Sequence, residues 1–295
     1  MVQRIDELVP LFDLEEIEQG LFRGIHPQTR LQRSFGGQVL AQALNAALRT
    51  VPEGRQVHSL HSYFLRGGRT DAPIIYDVQR TRDGGTFSSR RVVARQHREE
   101  IFMMAASFQE PEEGVLNHQD PPPEAGDPEN LTPLFSVTGR RWAEEWGVLD
   151  VRVVGDSSPG EKSPWADPTH RRIDADNHAG HSRVWVRFDG DLPDIPNIHP
   201  CALAWASDLT LLAASVVPHP DVQWGSPQVA AASLDHAMWF HRPVRADRWW
   251  MYDQITTSSQ DSRGLSMGRI FQDGQLVATV AQEGLIRVLD GPSRS

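Results

Sequence analysis

Hydrophobic and polar positions follow two alternating rhythms along this chain. From Gly37 to Ala47 the apolar residues fall at 39, 40, 43, 44 and 47, the spacing of one helix face, and this predicts a helix. Strand-like stretches follow at Ser59–Leu65, Ile74–Arg82, Ser89–Arg95 and Ile101–Phe108. The same succession then returns. A strand over Ser182–Phe188 and a helix over Ala202–Val216 are followed by strands at Leu234–Arg242, Trp249–Thr257, Ser266–Phe271 and Gln275–Ile286. The pair Asp273-Gly274 between the last two is a hairpin signal, because both residues tolerate the left-handed backbone that a two-residue turn demands. Each half therefore reads as one long helix against an antiparallel sheet, an α+β fold.

The two halves match as sequences. Displaced by 176 positions, Tyr63–Thr81 and Trp239–Thr257 share Phe64/Phe240, Arg66/Arg242, Arg69/Arg245, Asp71/Asp247, Tyr76/Tyr252, Asp77/Asp253 and Thr81/Thr257. About one match is expected by chance in such a window. With small shifts the correspondence extends to Arg91–Val93 against Arg269–Phe271 and to Ile101–Ser107 against Leu276–Gln282. Tandem repeats, 1–110 and 181–295, joined by a Pro-rich linker and loop region over 111–180, are the simplest division.

Composition narrows the function. The formal net charge of -10 argues against nucleic acid or an anionic membrane as partner. Lys162 is the sole lysine, and a codon bias explains the Arg excess as well as phosphate recognition does. The only cysteine, Cys201, can build neither a disulfide framework nor a zinc site, so a reducing cytoplasmic setting and no metal are expected. The apolar stretch Cys201–Val217 is broken by Ser207, Asp208 and Thr210, which predicts no membrane insertion. The N-terminal residues lack the apolar run of a signal peptide.

Against this background a few polar residues stand out. Asp208 lies in the middle of the predicted helix 202–216, among Leu203, Trp205, Leu209 and Leu212. A carboxylate there needs hydrogen-bond partners, and it is as plausibly catalytic as structural. Gln282 shares its strand face with Leu276, Ala278 and Val280, so its amide also needs a partner; a core glutamine is the equal alternative. Ser233 alone reads as a local hydrogen-bonder. Asp235, His236 and His241 suggest a dyad or a metal site, but they have no recognised metal spacing, and His170, His178 and His181 fall in a polar loop. Gly264–Gly268 (GLSMG) copies the serine-hydrolase nucleophile elbow around Ser266, but a strand and hairpin follow it where that motif needs a helix.

Longer blocks carry a family resemblance. Gly20–Gly24 (GLFRG), Phe35–Ala43 (FGGQVLAQA), His58–Arg66, Tyr76–Val93, Ala106–Gln109, Ala206–Leu209 (ASDL), Asp235–Pro243 (DHAMWFHRP) and Gln282–Gly284 occur in order along nearly the whole chain. In these the sequence resembles the TesB-like acyl-CoA thioesterase II group. The resemblance implies a double hotdog, each long helix wrapped by its sheet, and hydrolysis of fatty acyl-CoA without a cofactor. It implies a catalytic trio of Asp208, Ser233 and Gln282 around a water. Hotdog sheets commonly pair, so a homodimer or higher homo-oligomer is expected by analogy. The Phe35–Gly37 turn, through Gly36 and Gly37, is a candidate oxyanion site at a helix N-terminus. Arg66, Arg90, Arg91, Arg242 and Arg245 are unranked candidates for the CoA phosphates. Rival readings are a non-hydrolytic acyl-CoA binder, a hydratase, or a serine hydrolase using Ser266.

Overall fold

The computed structural model describes residues 2–138, 144–157, 173, 180–195 and 197–289. Helix α1 (Ile5–Phe12) and the short strands β1 (Glu15–Glu18) and β2 (Leu21–Gly24) come first. Helix α2 (Gly36–Leu48) leads to β3 (Gln56–Phe64), β4 (Ile74–Asp83), β5 (Phe87–Gln96) and β6 (Glu99–Gln109). After the linker come β7 (Thr132–Pro133), α3 (Leu134–Thr138), β8 (Leu149–Asp156) and β9 (His181–Phe188). Helix α4 (Ile198–Ser207) then precedes β10 (Val229–Ser233), β11 (Asp235–Phe240), β12 (Trp250–Gln260), β13 (Arg263–Gln272) and β14 (Gln275–Val288).

All the strands join one antiparallel sheet in the order β1-β2-β4-β5-β6-β3-β11-β14-β13-β12-β9-β8-β7, with β10 also on β14. Read outward from the β3–β11 joint, the two halves repeat each other. At that joint Leu60 faces Met238 and Ser62 faces His236. Helices α2 and α4 lie against the sheet with nearly every residue buried, as their apolar composition requires. They also pack on each other. Gly37 of α2 touches the Trp205 carbonyl of α4, a contact that leaves no room for a Cβ. Phe35, Trp146 and Trp205 fill the space beside this crossing with edge-on ring contacts, and Phe188 adds a tilted contact to Trp205. The double-hotdog expectation therefore holds.

Register corrects the repeat. Tyr76 pairs with Ala94 and Ala94 with Phe102. Tyr252 pairs with Ile270 and Ile270 with Ala278. The displacement thus stays at the same value through β5, β6, β13 and β14, and the small shifts expected from residue likeness do not exist. The shared residues have a structural reason. Gln96 accepts from the Arg69 N–H at 2.7 Å, and Gln272 accepts from the Arg245 N–H at 2.9 Å. Arg69 and Arg245 each clasp the aspartate two residues on, Asp71 and Asp247. These pairs fix the loops after β3 and β11.

Two further expectations change. The second sheet half begins earlier than 181, because β8 pairs with β9 within the stretch assigned to the connection. The helix expected over 202–216 is two pieces. The α-helix ends at Ser207, Asp208 caps it, and a 3₁₀ turn runs Leu211–Val216. Ser207, Asp208 and Thr210 all carry side chains that compete with helical backbone bonds, and the Ser207 hydroxyl does take the Ala204 carbonyl. Asp208 therefore sits at a helix end and not mid-helix. Among the described residues no helix is long and apolar enough to cross a membrane.

Candidate active site

Four elements meet at the end of α4. The kink at Leu234 between β10 and β11 leaves both strands paired to β14, and it sets Ser233 opposite Gly284, two residues from Gln282. Inward parity on β14 carries Ala278, Val280 and Gln282 to the helix side. The structure brings Asp208, Ser233 and Gln282 into one hydrogen-bonded triangle. Ser233 donates to Asp208 Oδ1 at 3.1 Å. Gln282 Nε2 donates to the same oxygen and to Ser233 Oγ, the latter at 2.9 Å. Gln282 Oε1 is buried without a partner. The amide orientation follows from charge, since turning Oε1 toward a carboxylate would oppose two acceptors.

Gly36 and Gly37 belong to the same cluster. The Gly37 N–H, in the first turn of α2, donates to Asp208. A Cβ on Gly36 would lie 2.7 Å from Asp208 Oδ2 and 3.1 Å from the Phe64 ring. Glycine is required here because helix end, carboxylate and aromatic ring close on one point. Burial pushes the Asp208 carboxyl up to about 6, opposed by the bonds from Gln282, Ser233 and Gly37. The arrangement offers a buried acid near its ionisation point, a hydroxyl, an amide and helix N–H groups. That set can hold and deprotonate a water next to an electrophilic carbonyl.

Other candidates are dispersed. Asp235 and His236 are neighbours on β11 and so point to opposite faces, while His241 bonds Thr279 at 2.9 Å. Among the described residues no cluster of metal-binding side chains exists. His181 opens β9 with its ring 3.9 Å from Asp253, and His170 and His178 lie outside the described residues. Ser266 is buried within β13 and shares its hydroxyl with Ser215 at 2.8 Å, so GLSMG is a strand and no elbow. Arg90 drops out as a phosphate ligand. Its guanidinium is wholly buried and spent on Thr50, Asp83 and the carbonyls of Arg82 and Ser89. Arg245 is held by Asp247 and Asp194, and Arg66 faces Glu99.

The sequence singles out His236 only alongside Asp235 and His241 and not as a neighbour of Asp208, yet it shares the inward parity of Met238 and lies 4.0 Å from that carboxylate. Polar identity on an apolar strand face was the available signal.

Comparison with known proteins identifies the family. The family model described as acyl-CoA thioesterase matches residues 154–285, and that of the acyl-CoA thioesterase N-terminal domain matches 26–109. Human acyl-coenzyme A thioesterase 8 is 37% identical over 97% of this chain and 90% of its own length. Acyl-CoA thioesterase 2 of Haemophilus influenzae is 36% identical over 96% of this chain and 98% of its own. The crystal structure of an acyl-CoA thioesterase II from Mycobacterium marinum superposes with a TM-score of 0.79 at 42% identity, covering 97% of this chain and 99% of that one. On likeness sustained through both repeats, this chain belongs to the acyl-CoA thioesterase family.

Proposed function

We propose that the protein hydrolyses fatty acyl-CoA to free fatty acid and CoA, with a water gripped by Asp208, Ser233 and Gln282 as the nucleophile. The observation that carries this is the triangle of hydrogen bonds joining an acid, a hydroxyl and an amide from three separate elements. Ionised Asp208 accepts the water proton while Ser233 and Gln282 fix the oxygen. The hydroxide adds to the thioester carbon, the tetrahedral intermediate expels the CoA thiolate, and the proton returns from Asp208 to the thiolate. The Gly36 N–H at the α2 N-terminus faces the oxyanion, and the Gly37 N–H joins it as Asp208 becomes protonated and needs it less. No covalent intermediate and no cofactor enters this scheme.

The compartment assigned is the cytoplasm, which suits a chain whose one cysteine, Cys201, is free and buried. The assembly assigned is a homodimer or larger, through the exposed outer sheet face with Tyr63, Trp239, Leu265 and Met267.

Thiol release from short, medium and long acyl-CoAs tests the reading. Asp208→Asn and Gln282→Ala should each lower kcat by at least about 10²-fold. Near-wild-type rates in folded variants would remove the trio.

A further inference from the structure

Behind the Asp208 carboxylate lies a side chain that this reaction does not use. His236 points inward from β11 with no exposed surface. Its Nε2 is 2.9 Å from the Ser207 hydroxyl, which already gives its one proton to the Ala204 carbonyl at 2.9 Å. The ring is therefore the donor in its own bond, and Nε2 carries the hydrogen. Nδ1 is left as a bare lone pair. It has no hydrogen-bond partner and stands 4.0 Å from Asp208 Oδ1. Burial pushes the imidazole down to about 3, which keeps the ring neutral.

A bare nitrogen lone pair turned toward a carboxylate in a dry site disfavours the anion and favours the acid. The other groups facing Asp208 act differently. Ser233 from β10, Gln282 from β14 and the Gly37 N–H from α2 all stabilise the anion. Tyr252 from β12 gives its hydroxyl to the Ser207 carbonyl at 3.2 Å, and burial holds the phenol protonated. None of these described neighbours is a charged side chain. Among these described polar neighbours His236 is thus the one whose nearest atom opposes ionisation, adding to what burial already does.

Resting on the thioesterase reading, we propose that His236 is a positioning residue for Asp208. Clamped by Ser207 as the Nε2–H tautomer, it turns a bare Nδ1 to the carboxylate and makes Asp208 a stronger proton acceptor toward the attacking water.

The test is the pH dependence of kcat/KM for thiol release in the wild type, His236→Gln and His236→Asn. Glutamine carries its amide to the Nε2 position and leaves nothing at Nδ1, while asparagine sets an amide that can donate to Asp208. Both should move the acid limb to lower pH, asparagine further, by about 0.5–1 unit, and lower kcat above that limb about threefold or more with KM little changed. Folded variants whose acid limb superimposes on that of the wild type overturn the proposal. The ring tautomer, read in the unmodified protein by NMR of isotope-labelled histidine, decides the matter even where a variant does not fold. A neutral ring with its proton on Nε2 supports the proposal, and a proton on Nδ1 or an imidazolium at pH 7 overturns it. If Asp208→Asn is inactive while the limb of the His236 variants is unmoved, the role of His236 fails and the thioesterase reading stands. If Asp208→Asn keeps its activity, that reading itself fails.

Discussion

Burial works against the ionised form of Asp208, and so does its place at the C-terminal end of α4, where unpaired carbonyls carry partial negative charge. Bonds from Gln282, Ser233 and Gly37 oppose this, and the carboxyl settles at about 6 where an ordinary one sits at 3.8. Between those two values the folded protein keeps a proton that the unfolded chain has released. Stability contributed by this group is therefore full below pH 3.8, falls as pH rises through about 6, and levels off above. Removing the charge removes the slope. Relative to the wild type, Asp208→Asn should gain on the order of 2 kcal/mol of unfolding free energy at pH 8 over its difference at pH 4. Urea titrations at the two pH values measure this, and equal differences would mean that Asp208 does not titrate in that window. Asp208 and Gln282 were both legible as polar residues among apolar ones. Ser233 was visible only through the family resemblance, because a serine before a strand has a dozen ordinary uses. The tie from Gly37 to Asp208 crosses between repeats and has no local signature.

At the scale of elements, the first repeat shows what a buried charge does when it is structural. Arg90 on β5 lies under β4 and the end of α2 with its side chain wholly enclosed. Its Nε reaches Thr50 Oγ1 at 2.8 Å, and one Nη reaches both the Thr50 carbonyl at 2.9 Å and Asp83 at 2.8 Å. Its counterpart in the second repeat is Ser266, bonded to Ser215. Arg90→Ala strands the buried Thr50 hydroxyl and carbonyl, while the exposed Asp83 returns to water, so it should cost on the order of 1–3 kcal/mol in chemical denaturation. Thiol release per folded molecule should be little changed, and a severe loss of turnover in a stable variant would put Arg90 in the site after all. The strands on either side were readable because alternation survives burial on one face. Helix 202–216 was not, since periodicity among uniformly apolar residues cannot report a change from α to 3₁₀ winding. Strands β1, β2, β7 and β10 have five residues or fewer, too brief for a pattern to register, and β8 (Leu149–Asp156) follows the Pro-rich stretch taken as a linker.

Across the whole molecule, one sheet unites the repeats at β3 and β11, and the α2–α4 contact repeats that union on the helix side. Asp208, Ser233 and Gln282 all come from the second copy, while Gly36 and Gly37 come from the first. Duplication was legible as matched residues. The seam between copies was not, because it depends on which edge strands meet.

The register that joins the copies also sets a stoichiometry. One displacement places Val57 where Ser233 stands and Ala106 where Gln282 stands. Neither side chain can hydrogen-bond a water, so the equivalent position in the first copy is chemically silent. Calorimetric titration with a non-hydrolysable thioether analogue of the substrate should then saturate at one ligand per chain, and two equal sites per chain would contradict it. Twofold architecture here supports a single turnover centre, to which one copy brings its side chains and the other a helix end.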